Sequence, residues 1–380
     1  MVAVLFVGED PGGVDVLVPV KKRLDALGVP SRVLSSGPGN AVWQRHSIAF
    51  DDVTGDMADP IDPAEVRALI ESVRPKVLIT ATSFPRRVEK FFRREARALG
   101  IPSIMVLDAD RGDLYRTELD EMACRPDFAV SIGNRMTARL HAALYRHEQV
   151  ITAGHLALAE IAAAGRSFPD SDIAAWKRDF MKCHDGRELI VVFSDNVRQV
   201  FGEAGAIAEI GYHEGIAVPA LLRAIAGTAF RKNRSYEVVV KLHPKEAPGA
   251  FDEIFRKVNS TSLHVREVSS CDNLRLIRSA DHIFGLYSII MVWCALLGRL
   301  TLSYQPNARK GSFLVTAEEG AVPCCWRANE LDGMVEAFLT DLAWRTQWQA
   351  RLSTWQPIAV DGVASVTQHV LALVGTGIRA

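Results

Sequence analysis

Short β-branched runs alternate with longer helix-forming stretches along nearly the whole chain, and no other feature constrains the fold as much. Residues 2–7 read as a buried strand, followed by a Gly/Pro loop through Gly13 and a helix closed by Gly28. Val33 and Leu34 mark a second strand. Further strands are expected at 76–80, 103–107, 128–131 and 149–152. Helices are expected near 63–73, 86–99 and 134–145, and from about His155. Residues 51–63, with Asp51, Asp52 and Asp56, read as a solvated acidic loop. Strands alternating with helices of this length build a parallel, doubly wound sheet, because each crossover helix returns the chain to the same sheet edge.

The rhythm breaks over residues 165–187, where a helix is expected around Trp176, and restarts at Glu188. Strands are then expected at 188–193, 236–242, 262–266, 282–285 and 300–304, with helices near 214–228, 249–258, 272–279, 289–297 and 329–341. A chain of 380 residues exceeds the roughly 250–300 at which single cores stop growing. The reading is therefore α/β, with two tandem Rossmann-like domains and a deep cleft between them. The expected division is 1–165, 187–341, and a tail, 342–380, whose helices pack back across the hinge. In that tail Trp344, Trp348, Leu352 and Trp355 recur near the helical period.

A hydrophobic fraction of 48% supplies two cores, and a net charge of -1 removes the general electrostatic case for binding nucleic acid. The six cysteines form no C-x-x-C pair, which fits reduced thiols in a cytoplasmic protein. The N-terminus lacks the basic region of a signal peptide, and the greasiest run, 283–297, falls short of the ~20 apolar residues of a membrane helix.

Chemistry concentrates between Lys241 and Gln305. The run KLHPKE places His243 and Pro244 at the carboxyl end of a strand, where open α/β sheets bind ligands. His243 is placed to donate to a phosphate, with Lys241 and Lys245 adding positive potential; the alternative is a strand-end histidine satisfied by a carbonyl. Asp272 suits the N-cap of the next helix. Tyr287 and Ser288 open the helix that stops at Gly298, so that a hydroxyl and free N–H groups form an anion site, or Ser288 is a plain cap. In the first half, GEDPGG places Glu9 and Asp10 after the first strand, without the spacing of a dinucleotide fingerprint. Asp108 and Asp110 follow another strand beside Arg111 and Arg116. A carboxylate there can serve as a general base; otherwise both acidic sets are solvated loops, caps and surface ion pairs. No metal-ligand cluster has useful spacing.

The order of these pieces resembles the C-terminal half of the GT-B superfamily: a strand ending in His-Pro, a helix before an Ala-Asp strand, and a Ser-initiated helix ending ALLG. The runs VLDADRGDLYR, PDFAVSIGNRMTARL and VITAGHLALAEI are similar to parts of its N-terminal domain. Within the superfamily the chain resembles bacterial surface-polysaccharide enzymes: CDP-glycerol glycerophosphotransferases, capsule and sialyl transferases, and UDP-sugar 2-epimerases. The resemblance implies a metal-independent transferase, with no cofactor, moving a sugar or polyol from a nucleotide-linked donor to a carbohydrate or lipid-linked acceptor. Association with the inner face of a membrane is left open. His243, Pro244, Lys245, Lys241, Ser288, Tyr287, Ser270 and Asp272 would hold the nucleotide, and Asp10, Asp108 or Glu9 would be the base, with His213 or Glu214 next in line. Trp293 stands where many GT-B enzymes carry a ribose-binding Glu, which favours CMP or CDP over UDP. Two alternatives remain: a UDP-sugar 2-epimerase, although 194–215 contains His213-Glu214 rather than the His-Arg…Glu-Asn element, and a non-catalytic sugar-nucleotide binding protein.

Overall fold

The computed structural model describes residues 2–55, 61–83, 88–108, 122–143, 145–183, 187–309, 311–312, 314–355 and 361–375. Asp56, Asp110, Arg111 and Arg116 lie outside them. The chain forms two compact units, residues 1–159 with 356–380, and residues 160–355.

The first unit is built on a seven-stranded parallel sheet of β1 (Val4–Gly8), β2 (Ser31–Ser35), β3 (Asp51–Asp52), β4 (Val77–Thr80), β5 (Ser103–Val106), β6 (Phe128–Ser131) and β7 (Val150–Thr152). Their order is β3-β2-β1-β4-β5-β6-β7. β1 is buried throughout, as its unbroken apolar run requires of a strand covered on both faces. It pairs with β2 on one side, Val4 against Ser31, and with β4 on the other, Val4 against Val77. Asp51 and Asp52 are a correction to the sequence reading. They form an edge strand rather than a loop, with Arg32 Nε 2.6 Å from Asp51 Oδ2. Two charges suit an edge that must not recruit another strand.

The second unit repeats the plan with six parallel strands, β8 (Glu188–Phe193), β9 (Tyr236–Lys241), β10 (Leu263–Val268), β11 (His282–Gly285), β12 (Thr301–Tyr304) and β13 (Cys324–Cys325). Their order is β10-β9-β8-β11-β12-β13. Both sheets are doubly wound in the Rossmann manner, and each has one point where strand order reverses: between β1 and β4, and between β8 and β11. Among the elements absent from the sequence reading are the helices Asn40–Arg45, Val197–Glu209, kinked at Gly202 (φ +69°), and Val315–Glu318, and the two-residue strand β13.

Within residues 165–187 the helix Asp170–Asp179 forms around Trp176, as expected, and Arg278 binds both Gly165 O at 2.9 Å and Asp170 Oδ1 at 2.6 Å. The two C-terminal helices belong to different units. Leu342–Thr354 stays with the second, where Trp344 meets Phe338 edge-on at 6.2 Å. Gly362–Val374 belongs to the first and buries Val366, Val370 and Val374, spaced at i, i+4, i+8. The six cysteines are unbridged, and among the described residues no helix is long and apolar enough to cross a membrane.

Close approach of the helix Pro11–Ala26 to the sheet depends on Gly13. A Cβ there would lie 2.6 Å from Thr82 O and 2.9 Å from Ala81 Cβ. Gly333, exposed in the helix Leu331–Thr340, has nothing within 4 Å of the same position. Urea denaturation should show Gly13→Ala losing about 1–3 kcal/mol, the range for overpacking, and Gly333→Ala gaining about 0.5–1 kcal/mol by helix propensity. Equal effects would contradict the packing at Gly13.

Candidate functional site

In open α/β sheets ligands bind beyond the carboxyl ends of the strands, at the reversal of strand order. In the second unit that edge carries the loops after β8, β9 and β11. After β9 the chain turns through His243-Pro244-Lys245-Glu246, with Glu246 N donating to His243 O at 2.9 Å. Pro244, with its fixed φ, suits the second position of that turn. The Glu246 carboxylate folds back to accept from His243 N at 2.7 Å and from Ser194 Oγ at 2.8 Å, tying the β9 loop to the β8 loop. Burial pushes Glu246 up to about 7, against the pull of those two hydrogen bonds; Glu214 and Asp195 add to the rise. Lys245 N donates to His243 Nδ1 at 3.1 Å. A ring nitrogen that accepts leaves the neutral ring's proton on Nε2, so the turn fixes His243 as a donor at its outer nitrogen.

Ser288 occupies the N-cap of the helix Ile289–Leu296, yet its hydroxyl makes no capping hydrogen bond. Asp272 differs: its Oδ1 accepts from Leu274 N at 2.9 Å and Arg275 N at 3.1 Å, so this carboxylate is occupied in starting the helix Asn273–Ser279. Lys241 is buried, and its ammonium donates to Leu242 O at 2.6 Å and Ser269 O at 3.0 Å. It braces the ends of β9 and β10, and burial lowers its pKa. Ser270 is exposed after β10, and Tyr287 meets Tyr212 edge-on at 6.4 Å.

Two residues named only in reserve take separate positions beside the β8 loop. Glu214 is 2% exposed and accepts from Arg198 N at 3.0 Å, which anchors the start of the helix Val197–Glu209. His213, 3% exposed at the N-cap of Glu214–Lys232, has no hydrogen-bond partner on either ring nitrogen among the described residues, its Nε2 standing 3.9 Å from Glu203 Oε1.

In the first unit the reversal lies beside the N-terminus of Pro11–Ala26. Asp10 is the N-cap through its backbone, with Val14 N donating to Asp10 O at 2.9 Å, and its side chain does not cap. Asp108, after β5, accepts from Thr82 Oγ1 at 3.0 Å, and a Cβ on Gly12 would stand 2.8 Å from Asp108 Oδ2. The carboxylate thus lies over the first turn of the helix. Glu9 takes another direction: it is buried near Gly37, its N–H donates to Glu89 Oε1 at 3.1 Å, and Glu89 also binds Ser83. The structure therefore separates Glu9 from Asp108 and brings Asp108 together with Thr82, His155 and Asp15. Burial pushes Asp15 up to about 6, although Arg45 lies 2.6 Å away; Asp108 raises it further. Burial drives His155 down to about 4, opposed by the charge of Asp108 and a hydrogen bond to the Asp108 backbone.

Sequence reasoning gave His155 and Glu246 no role, although both stood inside runs already singled out. Glu246 had a usable signal, a carboxylate three residues beyond His243 across a proline turn. His155 had none beyond its place after a strand, because its partner comes from β5.

No protein-family model matches the sequence, nor does any curated protein. Solved structures do match in fold. UDP-GlcNAc 2-epimerase from Neisseria meningitidis bound to UDP-GlcNAc has a TM-score of 0.72 at 14% identity, over 97% of this chain and 100% of that one. The S. aureus MnaA–UDP structure has a TM-score of 0.70 at 12% identity, covering 99% and 97%. A glycosyltransferase from Rickettsia africae has a TM-score of 0.66 at 10% identity, covering 99% of each. The chain has the GT-B fold: two units, each a parallel sheet with alternating helices.

The shifted groups act on stability in opposite senses. Unfolded His155 takes a proton near pH 6.5, but folded His155 only near 4. Its contribution is full above 6.5 and declines as pH falls towards 4. Folded Glu246 holds its proton up to about 7. Its contribution is full below the ordinary carboxylate range and is lost as pH rises through 7. Urea midpoints from pH 4 to 8 should show His155→Gln less acid-sensitive than wild type between 6.5 and 4. Glu246→Gln should gain on wild type progressively from pH 4.5 to 7. Parallel curves for all three proteins would contradict both assignments.

Proposed function

We propose that the chain is a metal-independent enzyme of nucleotide-linked sugars, moving a sugar or polyol from the nucleotide to a hydroxyl acceptor in surface polysaccharide or glycoconjugate synthesis. The observation that carries this reading is the Ser288 hydroxyl. It stands at a helix N-terminus without capping it, on the same sheet edge as a histidine fixed as a donor. Helix N–H groups, a hydroxyl and an imidazole N–H form a set of donors for phosphate oxygens.

The chemistry follows from that set. The acceptor oxygen forms a bond to the donor's reacting carbon, or to phosphorus where a polyol phosphate moves, and the nucleotide leaves with the bonding electron pair. Negative charge grows on the leaving phosphate, where the Ser288 hydroxyl, the helix amides and His243 would stabilise it. The acceptor proton passes to a base, for which Asp108 is the choice. Thr82 holds the carboxylate in place, and the helix N-terminus lies beside it. Glu9 recedes as a base because it is only 4% exposed. Tyr287, Lys245 and Ser270 remain candidate contacts to the donor. Asp272 and Lys241 support the edge through their caps and carbonyl bonds.

The neighbours whose names give a nucleotide carry UDP or UDP-GlcNAc. A uridine donor is accordingly preferred, and the cytidine preference drawn from Trp293 finds no support. The same neighbours favour a second reading, UDP-sugar 2-epimerisation, as does the buried imidazole of His213, which makes no hydrogen bond among the described residues. Inversion at C2 must break and remake the C2–H bond. An epimerase therefore incorporates deuterium at C2 of UDP-GlcNAc in D2O without acceptor, whereas a transferase consumes donor only when acceptor is added. Tight UDP binding with neither reaction would leave a binding protein.

Three variants test the assignments. His243→Ala should weaken UDP binding by about 1.5–3 kcal/mol, as expected for a hydrogen bond to a charged group. Ser288→Ala should cost less, because the helix N–H groups remain. Asp108→Asn should lower turnover at least ~10²-fold, the lower end of general-base contributions, with UDP affinity retained. Titration calorimetry and steady-state assays check all three; full turnover in Asp108→Asn would remove it as the base.

A further inference from the structure

The opposite edge of the second sheet holds a cavity that the proposed chemistry does not use. It has a volume of about 280 Å³ and lies at the amino ends of β11 and β12. One wall is a single stripe of the helix Leu342–Thr354: Leu342, Arg345, Thr346 and Gln349, at i, i+3, i+4 and i+7. Facing it are His282, Arg299 and the buried ring of Phe338. Leu342 is 70% exposed at the rim and adds apolar surface there.

Its charges are unevenly matched. Asp281 is occupied, accepting from Leu189 N at 2.6 Å and pairing with Lys177 Nζ at 2.5 Å. Glu188, outside the cavity, has Arg234 at 3.9 Å. His282 is 2% exposed and sits against Glu188, its Nε2 3.6 Å from Glu188 Oε1, where the imidazole holds that carboxyl below its ordinary range. Arg345 feels the charge of Glu188 but hydrogen-bonds to no described side chain. Arg299 donates to the Ala280 carbonyl and lies in the field of Asp281, without a direct carboxylate contact among the described residues. Two guanidinium groups therefore line a space whose one carboxylate, Asp281, is shared with Lys177 and the Leu189 amide, next to an apolar surface.

We propose that this cavity is a second ligand site that takes a small phosphate monoester, its anion held by Arg299 and Arg345 and its apolar body against Phe338 and Leu342. The volume is near the lower end of the ~300–1,000 Å³ of ligand pockets, which limits the occupant to a small metabolite. Arginine is suited to bind a phosphate dianion through paired N–H groups. The site is independent of the reading of the carboxyl edge.

The test is calorimetric titration of the full chain with phenyl phosphate and with inorganic phosphate, each with and without saturating UDP. Phenyl phosphate should bind saturably and more tightly than inorganic phosphate, with affinity unchanged by UDP. Arg345→Gln, on a solvent-facing helix, should weaken it at least about tenfold, or ~1.4 kcal/mol, with unchanged thermal stability. Leu342→Glu, which places a carboxylate at the rim, should weaken it as well. Absence of saturable binding, competition by UDP, equal affinity for the two phosphates, or wild-type affinity in Arg345→Gln would each overturn the proposal.

Discussion

Parallel pairing of β8 with both β9 and β11 sends the chain away from one strand in opposite directions, and the candidate nucleotide groups are arranged around the gap this leaves. The loops after β9 and β11 flank the end of β8 and cannot close over it, because their helices cover opposite faces of the sheet. His243 leaves from one side and Ser288 from the other. The Ser194–Glu246–His243 bonds set the position of the first loop, and the helix Ile289–Leu296 sets that of the second. The first unit obeys the same rule with different groups: β1 and β4 diverge, the glycine-bearing first turn of Pro11–Ala26 approaches the sheet, and Asp108 comes over it.

Buried titratable groups bind each edge together at a cost in desolvation. Glu246 loses hydration and is compensated in part by two hydrogen bonds, a balance that leaves it about half protonated near pH 7. His155 makes the same exchange beside Asp108 and is held neutral. Groups so placed keep a loop in one conformation, and they also make both edges sensitive to proton concentration.

Much of the architecture was legible because parallel sheets demand unbroken apolar strands and long crossovers, and β1, β8 and β9 announce themselves that way. The helix Val197–Glu209 was hidden because Gly202 breaks its periodicity, and β13 because two residues carry no pattern. Asp51 and Asp52 misled because charge reads as loop, although charge also protects an edge. At the site, His243 and Ser288 were visible by their positions after strands. Asp272 was visible as a cap, and the structure gives it that work. The grouping of Asp108 with Thr82 and His155, and the separation of Glu9 from Asp108, were not legible, since strands distant in sequence meet only once the sheet order is known. The cavity at the amino edge had no sequence signal, because its helix was noted for the tryptophans on its other face.

The central claim is that the nucleotide phosphates bind at the carboxyl edge of the second unit. A crystal structure of the UDP complex tests it most directly. Phosphate oxygens should lie within hydrogen-bond distance of the Ser288 hydroxyl, the first amides of Ile289–Leu296 and His243 Nε2. UDP bound with its phosphates on any other element, while Ser288 and His243 face solvent, would contradict it.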